Sequence, residues 1–405
     1  MCALFAEFST RRGYCAKPYA GLTLPRTPPS TFGGPLRKLA VVGAALWLAS
    51  CSRAGGPIVI GLGGPFSQPR GIAMQHAAEL AVKEINARGG VRGRPLELRI
   101  VDDSGRPDLA IRVAQALVDD PAVVAVVGHL TSSTSLAAGR VYGSGRRPVA
   151  MISPSASSPD LTGLSPYVFR VCPTDLSHGA QLAHYARQTL GARRAGLIYL
   201  DDDYGRGLRL SFWTEFRRLG GVVVEEDPYL ATTETLEPYL ARMRQAGGVD
   251  VLMLATERAG AELALRDMAR IGVSWPAIGG DALTGIEAAG ALAERVRLSS
   301  AYLPDRPGDR NAVFVAAYAR AYEGQRPDHR GAGAYDILQL LARAFADVGT
   351  ERRAVRDYLA RIGRGLPAYE GVTGAIAFDT RGDVPAKPVV IGAVRDGRLV
   401  TEAAQ

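Results

Sequence analysis

Two hydroxyl-rich segments of this 405-residue chain could hold a small anion, and each follows a short apolar run. Segment 131–134 reads Thr-Ser-Ser-Thr, and segment 153–157 reads Ser-Pro-Ser-Ala-Ser. In open α/β sheets, ligands bind beyond the carboxyl ends of parallel strands, where a following helix offers free backbone N–H groups. Ser132, Ser155 and Ser157 are therefore candidates to bind the carboxylate of a small molecule. The alternative is that these residues only cap helices and form turns.

Three further polar side chains follow apolar runs in the second half of the chain. Tyr204 could form a cleft wall with its ring and donate a hydrogen bond from its hydroxyl. Asp281 follows a Gly-Gly pair, where a carboxylate suits an ammonium group, although an acid on a surface turn explains it equally well. Glu257 is a similar candidate at the end of another apolar run. These positions predict a second half-site opposite the hydroxyl-rich segments.

The first glycine-rich loop, residues 61–66, follows an apolar run and resembles a dinucleotide-binding fingerprint in part. That fingerprint needs a third glycine where this chain has Phe66, and Pro65 removes one N–H that a pyrophosphate would use. We therefore expect this loop to border a cleft, with Phe66 and Gln68 facing a ligand. No nucleophile elbow surrounds Ser132, so nucleophilic catalysis has no support.

Charge and composition are those of an ordinary globular protein. The formal net charge is +8, but residues 1–50 carry six basic residues against one acidic residue. The rest of the chain holds 42 basic against 39 acidic residues, without a basic stripe or interleaved aromatic residues. The charge pattern therefore predicts no nucleic-acid partner.

The leader combines a basic pair at 37–38, an apolar run over 39–48, and small residues before Cys51. This order is typical of a secretory signal, and the apolar run is too short to span a bilayer. Residues 48–51, Leu-Ala-Ser-Cys, resemble the bacterial lipobox, in which the cysteine is lipidated and begins the mature protein. The alternatives are a plain signal peptide with an incidental cysteine, or a buried helix. We expect a leader over 1–51 and a tether over 52–56.

After the tether, strand-like and helix-like patterns alternate through most of the chain. Such alternation is typical of α/β proteins with parallel sheets. The apolar spacing predicts, among others, helices over 132–142, 208–219 and 333–348. Two α/β lobes of similar size result.

Four segments occur in the order found in one protein family. The chain resembles the leucine/isoleucine/valine-binding proteins, which are extracellular receptors of amino-acid ABC transporters. The resemblance covers nearly everything after Gly56 and rests on segments 87–96, 127–132, 152–157 and 203–207. It implies a type I periplasmic binding protein fold, with two Rossmann-like lobes joined by three crossovers. The implied N-terminal lobe is 57–174 with 302–383, and the implied C-terminal lobe is 175–301 with 384–400.

The resemblance also implies roles for individual residues. Ser132, Ser155 and Ser157 would bind the carboxylate and ammonium groups of an amino acid. Tyr204 would press on the ligand from the other lobe, and Asp281 stands where the family places an acid for the ammonium group.

Two departures from the family put the side-chain pocket in doubt. Glu257 falls near the position of an aromatic wall, and Pro69-Arg70 replaces the usual aromatic residue of the first loop. An acidic wall would favour a polar or basic ligand over leucine.

We therefore expect a lipid-anchored, extracytoplasmic solute-binding protein at the periplasmic or cell surface. It would be a monomer that delivers an amino acid, of the branched-chain type or related, to an ABC permease. It would use no catalytic residue, metal or cofactor. The alternatives are a sensor of amides or amino acids coupled to a signalling partner, and a nucleotide-dependent α/β enzyme.

Overall fold

A computed structural model describes residues 55–402, and its first sheet contains five parallel strands. They are β1 (Ile58–Gly64), β2 (Leu96–Asp102), β3 (Val123–Val127), β4 (Ala150–Ser153) and β5 (Val168–Arg170). Their order in the sheet is β2-β1-β3-β4-β5. The central strands β1 and β3 are buried along their whole length, as expected for a parallel sheet covered on both faces.

Helices from two distant parts of the chain cover this sheet. α1 (Pro69–Ala87), α2 (Pro107–Asp119) and α3 (Ser132–Tyr142) come from the same stretch as the strands. Three helices return to the lobe from the C-terminal part: α8 (Asp309–Ala321), α9 (His329–Val348) and α10 (Arg352–Leu359). Apolar residues of α1, α9 and α10 pack on one sheet face, and those of α2 and α3 pack on the other. A two-stranded ribbon, β11 (Tyr369–Gly371) and β12 (Gly374–Ile376), follows α10.

The second sheet has seven strands, of which five are parallel. The parallel strands are β6 (Arg194–Leu200), β7 (Val222–Tyr229), β8 (Val251–Ala255), β9 (Ala277–Gly279) and β10 (Val296–Ser300). β13 (Val390–Arg395) and β14 (Arg398–Thr401) add antiparallel strands beside β10. α4 (Asp175–His184) and α5 (Asp203–Arg218) cover one face, while α6 (Glu237–Gln245) and α7 (Arg258–Arg270) cover the other.

The chain passes between the two sheets three times, in segments 171–174, 301–308 and 377–389. The predicted α/β class, with two lobes and three crossovers, is confirmed. The residue boundaries given above for the lobes stay a prediction. The leader, Cys51 and most of the tether lie outside the described residues. Within residues 55–402, no helix is both long and apolar enough to cross a bilayer.

Two helices begin well before their predicted starts, because their first turns are polar. α5 begins at Asp203, where Asp202 accepts the N–H of Gly205 at 2.7 Å. α9 begins at His329, where Asp328 caps the helix in the same way. Apolar periodicity cannot mark a turn that faces a polar cleft, so the capping aspartate is the better signal for such a helix start.

Arg170, at the end of β5, connects the first lobe to the third crossover. Its buried guanidinium donates to the Asp383 carboxylate at 2.7 Å and to the Ser158 carbonyl at 2.8 Å. It also donates to the Ala156 carbonyl and to the Thr162 hydroxyl. One buried cation therefore fixes the loop that carries the second hydroxyl-rich segment.

Replacing Arg170 by methionine should lower the free energy of unfolding by about 3–5 kcal/mol, because Asp383 and two carbonyls lose a buried partner. Urea unfolding followed by circular dichroism measures the change. Arg381→Met is the control, because that side chain is 65% exposed and its removal should cost less than about 0.5 kcal/mol. Equal losses in the two variants would contradict the role given to Arg170.

Candidate functional site

A cavity lies where the carboxyl ends of strands from both sheets face each other. About 390 Å³ of space lies between the protein atoms here, a volume that includes open solvent. Both lobes contribute to its wall, which is formed by Arg70, Leu130, Thr131, Ser132, Ser155, Asp202, Tyr204, Glu257, Asp281, Ala282 and Arg330. Five of the seven predicted ligand residues are therefore in this wall, and Ser157 and Phe66 are not.

The N-terminus of α3 forms one end of the cavity. Thr131 caps this helix by accepting the N–H of Thr134, so the capping alternative applies to Thr131 and not to Ser132. Ser132 is the first residue of the helix, and its hydroxyl accepts the N–H of Ser158 at 3.1 Å. This hydrogen bond joins the two hydroxyl-rich segments. Hydroxyls and free N–H groups at a helix N-terminus together suit a carboxylate.

His129 is buried next to this end of the cavity and does not form part of its wall. Its buried ring lies 2.5 Å from the Asp103 carboxylate, measured from Nδ1 to Oδ2. Its backbone carbonyl accepts hydrogen bonds from the hydroxyls of Ser135 and Ser153, at 2.9 and 2.7 Å. Ser153 in turn accepts the N–H of Ala156. This network holds the two hydroxyl-rich segments in a fixed relation.

Asp281 lies in the wall of the same cavity, on the side of the second sheet, and two histidines flank it. Its Oδ2 lies 3.8 Å from Nε2 of His178 and 3.6 Å from Nε2 of His329. Burial lowers the pKa of His178, and burial together with the nearby Arg330 lowers the pKa of His329 to about 3. Both imidazoles are therefore neutral at pH 7, and no cationic side chain among residues 55–402 pairs with Asp281.

Hydrogen bonds around His329 fix which of its ring nitrogens carries the proton. The hydroxyl of Thr284 donates to the Asp281 carbonyl at 2.7 Å, so its oxygen is free to accept from Nδ1 of His329 at 3.2 Å. The Nε2 lone pair then faces Ser155 at 3.3 Å and the Asp281 carboxylate. Asp281 Oδ2, a buried acceptor, has no hydrogen-bond donor within residues 55–402. An ammonium group would supply that donor.

The predicted acidic wall is different in the structure, because Glu257 is not a free acid. Its carboxylate forms an ion pair across the cleft with Arg70 at the start of α1. The side-chain oxygen of Gln68 also orients Arg70, because it accepts the Nε–H of Arg70 at 2.9 Å. Glu257 precedes α7 in the capping position, but its side chain makes no cap hydrogen bond. The wall is thus a neutral pair rather than a lone negative charge.

Ser157 and Phe66, which the sequence predicts as ligand residues, lie outside the cavity wall. Ser157 is buried, and its backbone carbonyl accepts the N–H of Asp175 at 2.8 Å. Burial raises the pKa of the Asp175 carboxyl well above its usual range. Phe66 packs its ring on the core of the first lobe, because its loop is held by the Asp102 carboxylate at 3.1 Å from the Phe66 N–H. Both therefore support the site from behind its wall.

The sequence gives little sign of four of the site residues. Arg70 and Arg330 are two among many scattered arginines, and His178 and His329 have no motif spacing. The Asp-x-x-Gly cap at 328–331 is the signal that could have placed His329 and Arg330 at a helix start. Among the described residues, no group of three or more His, Cys, Asp and Glu side chains could hold a metal ion.

Comparison with known proteins relates the whole described part of the chain to one family. The family model described as "Periplasmic binding protein" matches residues 57–398. The Leu/Ile/Val-binding protein homolog 1 of Brucella abortus (strain 2308) is 28% identical over 363 residues, which cover 86% of this chain and 94% of that protein.

Two solved structures are similar over a comparable length. An ABC transporter substrate-binding protein from Desulfitobacterium hafniense, in complex with Leu, is 33% identical with a TM-score of 0.74 and covers 86% of this chain and 100% of its own. The branched-chain amino acid transporter substrate binding protein LivJ from Streptococcus pneumoniae, in complex with isoleucine, is 26% identical. It has a TM-score of 0.76 and covers 85% of this chain and 100% of its own.

The neutral state of His329 predicts a specific loss of stability in acid. Its folded pKa of about 3 lies below the usual value of 6.5, so only the unfolded chain takes up this proton as the pH falls from 6.5 towards 3. The stabilisation of the folded state by the neutral His329 is therefore fully present above pH 6.5 and is lost progressively as the pH falls below that value. Between pH 6.5 and 4.5, a His329→Gln variant should lose about 2 kcal/mol less stability than the unaltered chain.

Urea unfolding at a series of pH values measures this difference. His184→Gln is the matched control, because that side chain is 37% exposed and its replacement should not lessen the loss of stability in acid. Parallel acid slopes for His329→Gln and the unaltered chain would show that His329 is not held neutral.

Proposed function

Since this chain belongs to the periplasmic binding protein family, we propose that it captures an amino acid between its two lobes outside the cytoplasm and delivers it to an ABC permease. The observation that carries the proposal is the cavity between the lobes. It has a helix N-terminus with hydroxyls on one side and an uncompensated buried carboxylate, Asp281, on the other. These two ends are complementary to the carboxylate and the ammonium of a zwitterion.

The α-carboxylate would bind at the N-terminus of α3, where Ser132 and Ser155 offer hydroxyls. The α-ammonium would lie between Asp281 and the lone pair of His329, and would donate to both. The ring of Tyr204, which is buried beside Ala282 and Gly280, would cover the ligand from the second lobe. Each contact would be stronger than in water because the cavity is partly closed to solvent.

Ligand binding would also favour the closed cleft. The carboxylate contacts come from the first lobe, whereas Asp281 and Tyr204 belong to the second. A ligand that contacts both lobes gains its full binding energy only when they are together, so it shifts the protein towards closure. A permease could then distinguish the loaded from the empty receptor by its shape.

Lipid anchoring at Cys51 is the second part of the proposal. The support is the order of basic, apolar and small residues before this cysteine. The tether would lead directly into β1 of the first lobe. This arrangement would hold the receptor near a membrane-embedded permease.

Asp281→Ala should abolish tight amino-acid binding, because the ammonium would lose its charged partner in a buried site. The milder Asp281→Asn should weaken binding by at least about 100-fold. Calorimetric titration of the full chain with leucine, isoleucine, valine and glutamine measures the affinities. Asp160→Asn, at an exposed position of the short 3₁₀ helix Pro159–Leu161, is the control and should bind as the unaltered chain does. Retained nanomolar binding in Asp281→Ala would rule out the ammonium role.

Cys51→Ser should release the protein from the membrane fraction of a bacterial host that processes lipoproteins. The thioether to the lipid cannot form without the thiol, and a single short apolar run gives no stable anchor. Fractionation and labelling with a radioactive fatty acid measure the anchor. Cys172→Ser, at a buried thiol, is the control. Equal labelling of Cys51→Ser and the unaltered chain would exclude lipidation at Cys51.

A further inference from the structure

The cavity has an inner and an outer end, and their linings differ. Arg70, Glu257, Ala282 and Arg330 also line a larger neighbouring cleft that opens towards solvent. Ser132, Ser155, Tyr204 and Asp281, by contrast, line the inner cavity alone. An amino acid held at the inner end would therefore direct its side chain towards the outer end. The residues there would determine which side chain is accepted.

The ion pair between Arg70 and Glu257 forms one wall of this outer end. Their side chains are 21% and 35% exposed, so both present polar atoms to the cleft. Arg70 uses Nε for Gln68 and Nη1 for Glu257, which leaves its Nη2 without a protein acceptor within residues 55–402. Glu257 has one oxygen in the pair and a second oxygen that accepts no hydrogen bond from these residues. The pair thus offers the ligand both a donor and an acceptor.

Arg330 adds further hydrogen-bond donors to the outer end of the cavity. Its residue is 7% exposed, and its guanidinium makes a single hydrogen bond within the described part of the chain, from Nη1 to the Asp328 carboxylate at 2.9 Å. A guanidinium has five N–H groups, so most of its donors remain to be matched. Asp328 neutralises the charge of Arg330 but leaves these donors unused.

A hydrocarbon side chain fits this outer end poorly. It would displace water from the arginine N–H groups and the free oxygen of Glu257 without replacing the lost hydrogen bonds. Each buried polar group left without a partner costs about 1–3 kcal/mol. A site that is built to hydrogen-bond one ligand discriminates strongly against an analogue that lacks the matching group.

Charged side chains fit poorly as well. A carboxylate would approach Glu257 and Asp202, and an ammonium or guanidinium would approach Arg70 and Arg330. In either case, the ligand would have to compete with an ion pair that is already formed. A neutral group with one acceptor and two donors avoids both conflicts.

We propose that the outer end is a subsite for a carboxamide side chain, so that the ligand is an amino acid of the glutamine type rather than leucine, isoleucine or valine. The amide oxygen would accept from the arginine N–H groups, and its NH₂ would donate to Glu257. This inference rests on the proposed function, because the head group must first hold the amino acid at the inner end.

Calorimetric titration of the full chain with L-glutamine, L-leucine, L-glutamate and L-lysine tests the subsite. Glutamine should bind at least tenfold more tightly than each of the other three. In the double variant Arg70→Met/Glu257→Leu, glutamine should lose at least tenfold in affinity and leucine should become the tighter ligand. The control is Arg353→Met/Asp357→Leu, which removes an exposed pair on α10 and should leave the preference unchanged.

The outcomes separate the two proposals. A glutamine preference below tenfold over leucine, or tightest binding of glutamate or lysine, would overturn the carboxamide subsite while amino-acid binding stands. No heat of binding with any amino acid would overturn the proposed function itself, and the subsite with it. Should the double variant not fold, the ranking of the four ligands on the unaltered chain decides alone.

Discussion

Parallel strands bring residues that are far apart in the sequence to one edge of a sheet, and this constraint determines where the site lies. Each of the two sheets ends its parallel strands at the same cleft, so seven separate segments of the chain contribute to its wall. Ser132 follows β3 and Ser155 follows β4, while Asp202, Glu257 and Asp281 follow β6, β8 and β9. Helices α3, α5 and α7 begin after β3, β6 and β8, so their N-termini lie at the same edge.

Charge in this cleft is arranged in two different ways. At the outer end, Glu257 and Arg330 each have an oppositely charged partner. At the inner end, Asp281 is buried beside two histidines whose pKa values are lowered by burial, so no cation in the described part of the chain pairs with it. An unpaired buried carboxylate is costly, and a cationic ligand removes that cost. The free energy of ligand binding would therefore come in part from relieving this uncompensated charge.

The sequence predicts the elements better than it predicts the site. Apolar periodicity located the strands, and the strand ends then indicated Ser132, Ser155, Tyr204, Glu257 and Asp281, which the structure places around one cavity. Phe66 and Ser157 lie outside the cavity wall, since a position after a strand does not decide whether a side chain points into a cleft or away from it.

The pairing of residues from distant elements carries no local signal in the sequence. Arg70 and Glu257 are far apart in the sequence, and only the arrangement of the two lobes shows that they form a pair. His329 and Arg330 come from a helix whose lobe is completed by a return of the chain from the second sheet. A sequence pattern reports periodicity and caps within one element, so it cannot report which side chain an opposite lobe supplies.

A thermal-shift screen of the full chain against amino acids, carboxamides and nucleotides tests the central claim most directly, namely that the cleft is built for a zwitterionic head group. A ligand present at 100 times its dissociation constant stabilises the folded state by about 2.7 kcal/mol, which gives a clear rise in the melting temperature. The account predicts such a rise with at least one amino acid and none with nucleotides or with carboxamides that lack the α-amino and α-carboxyl groups. A rise with a nucleotide or a simple amide, and none with any amino acid, would contradict it.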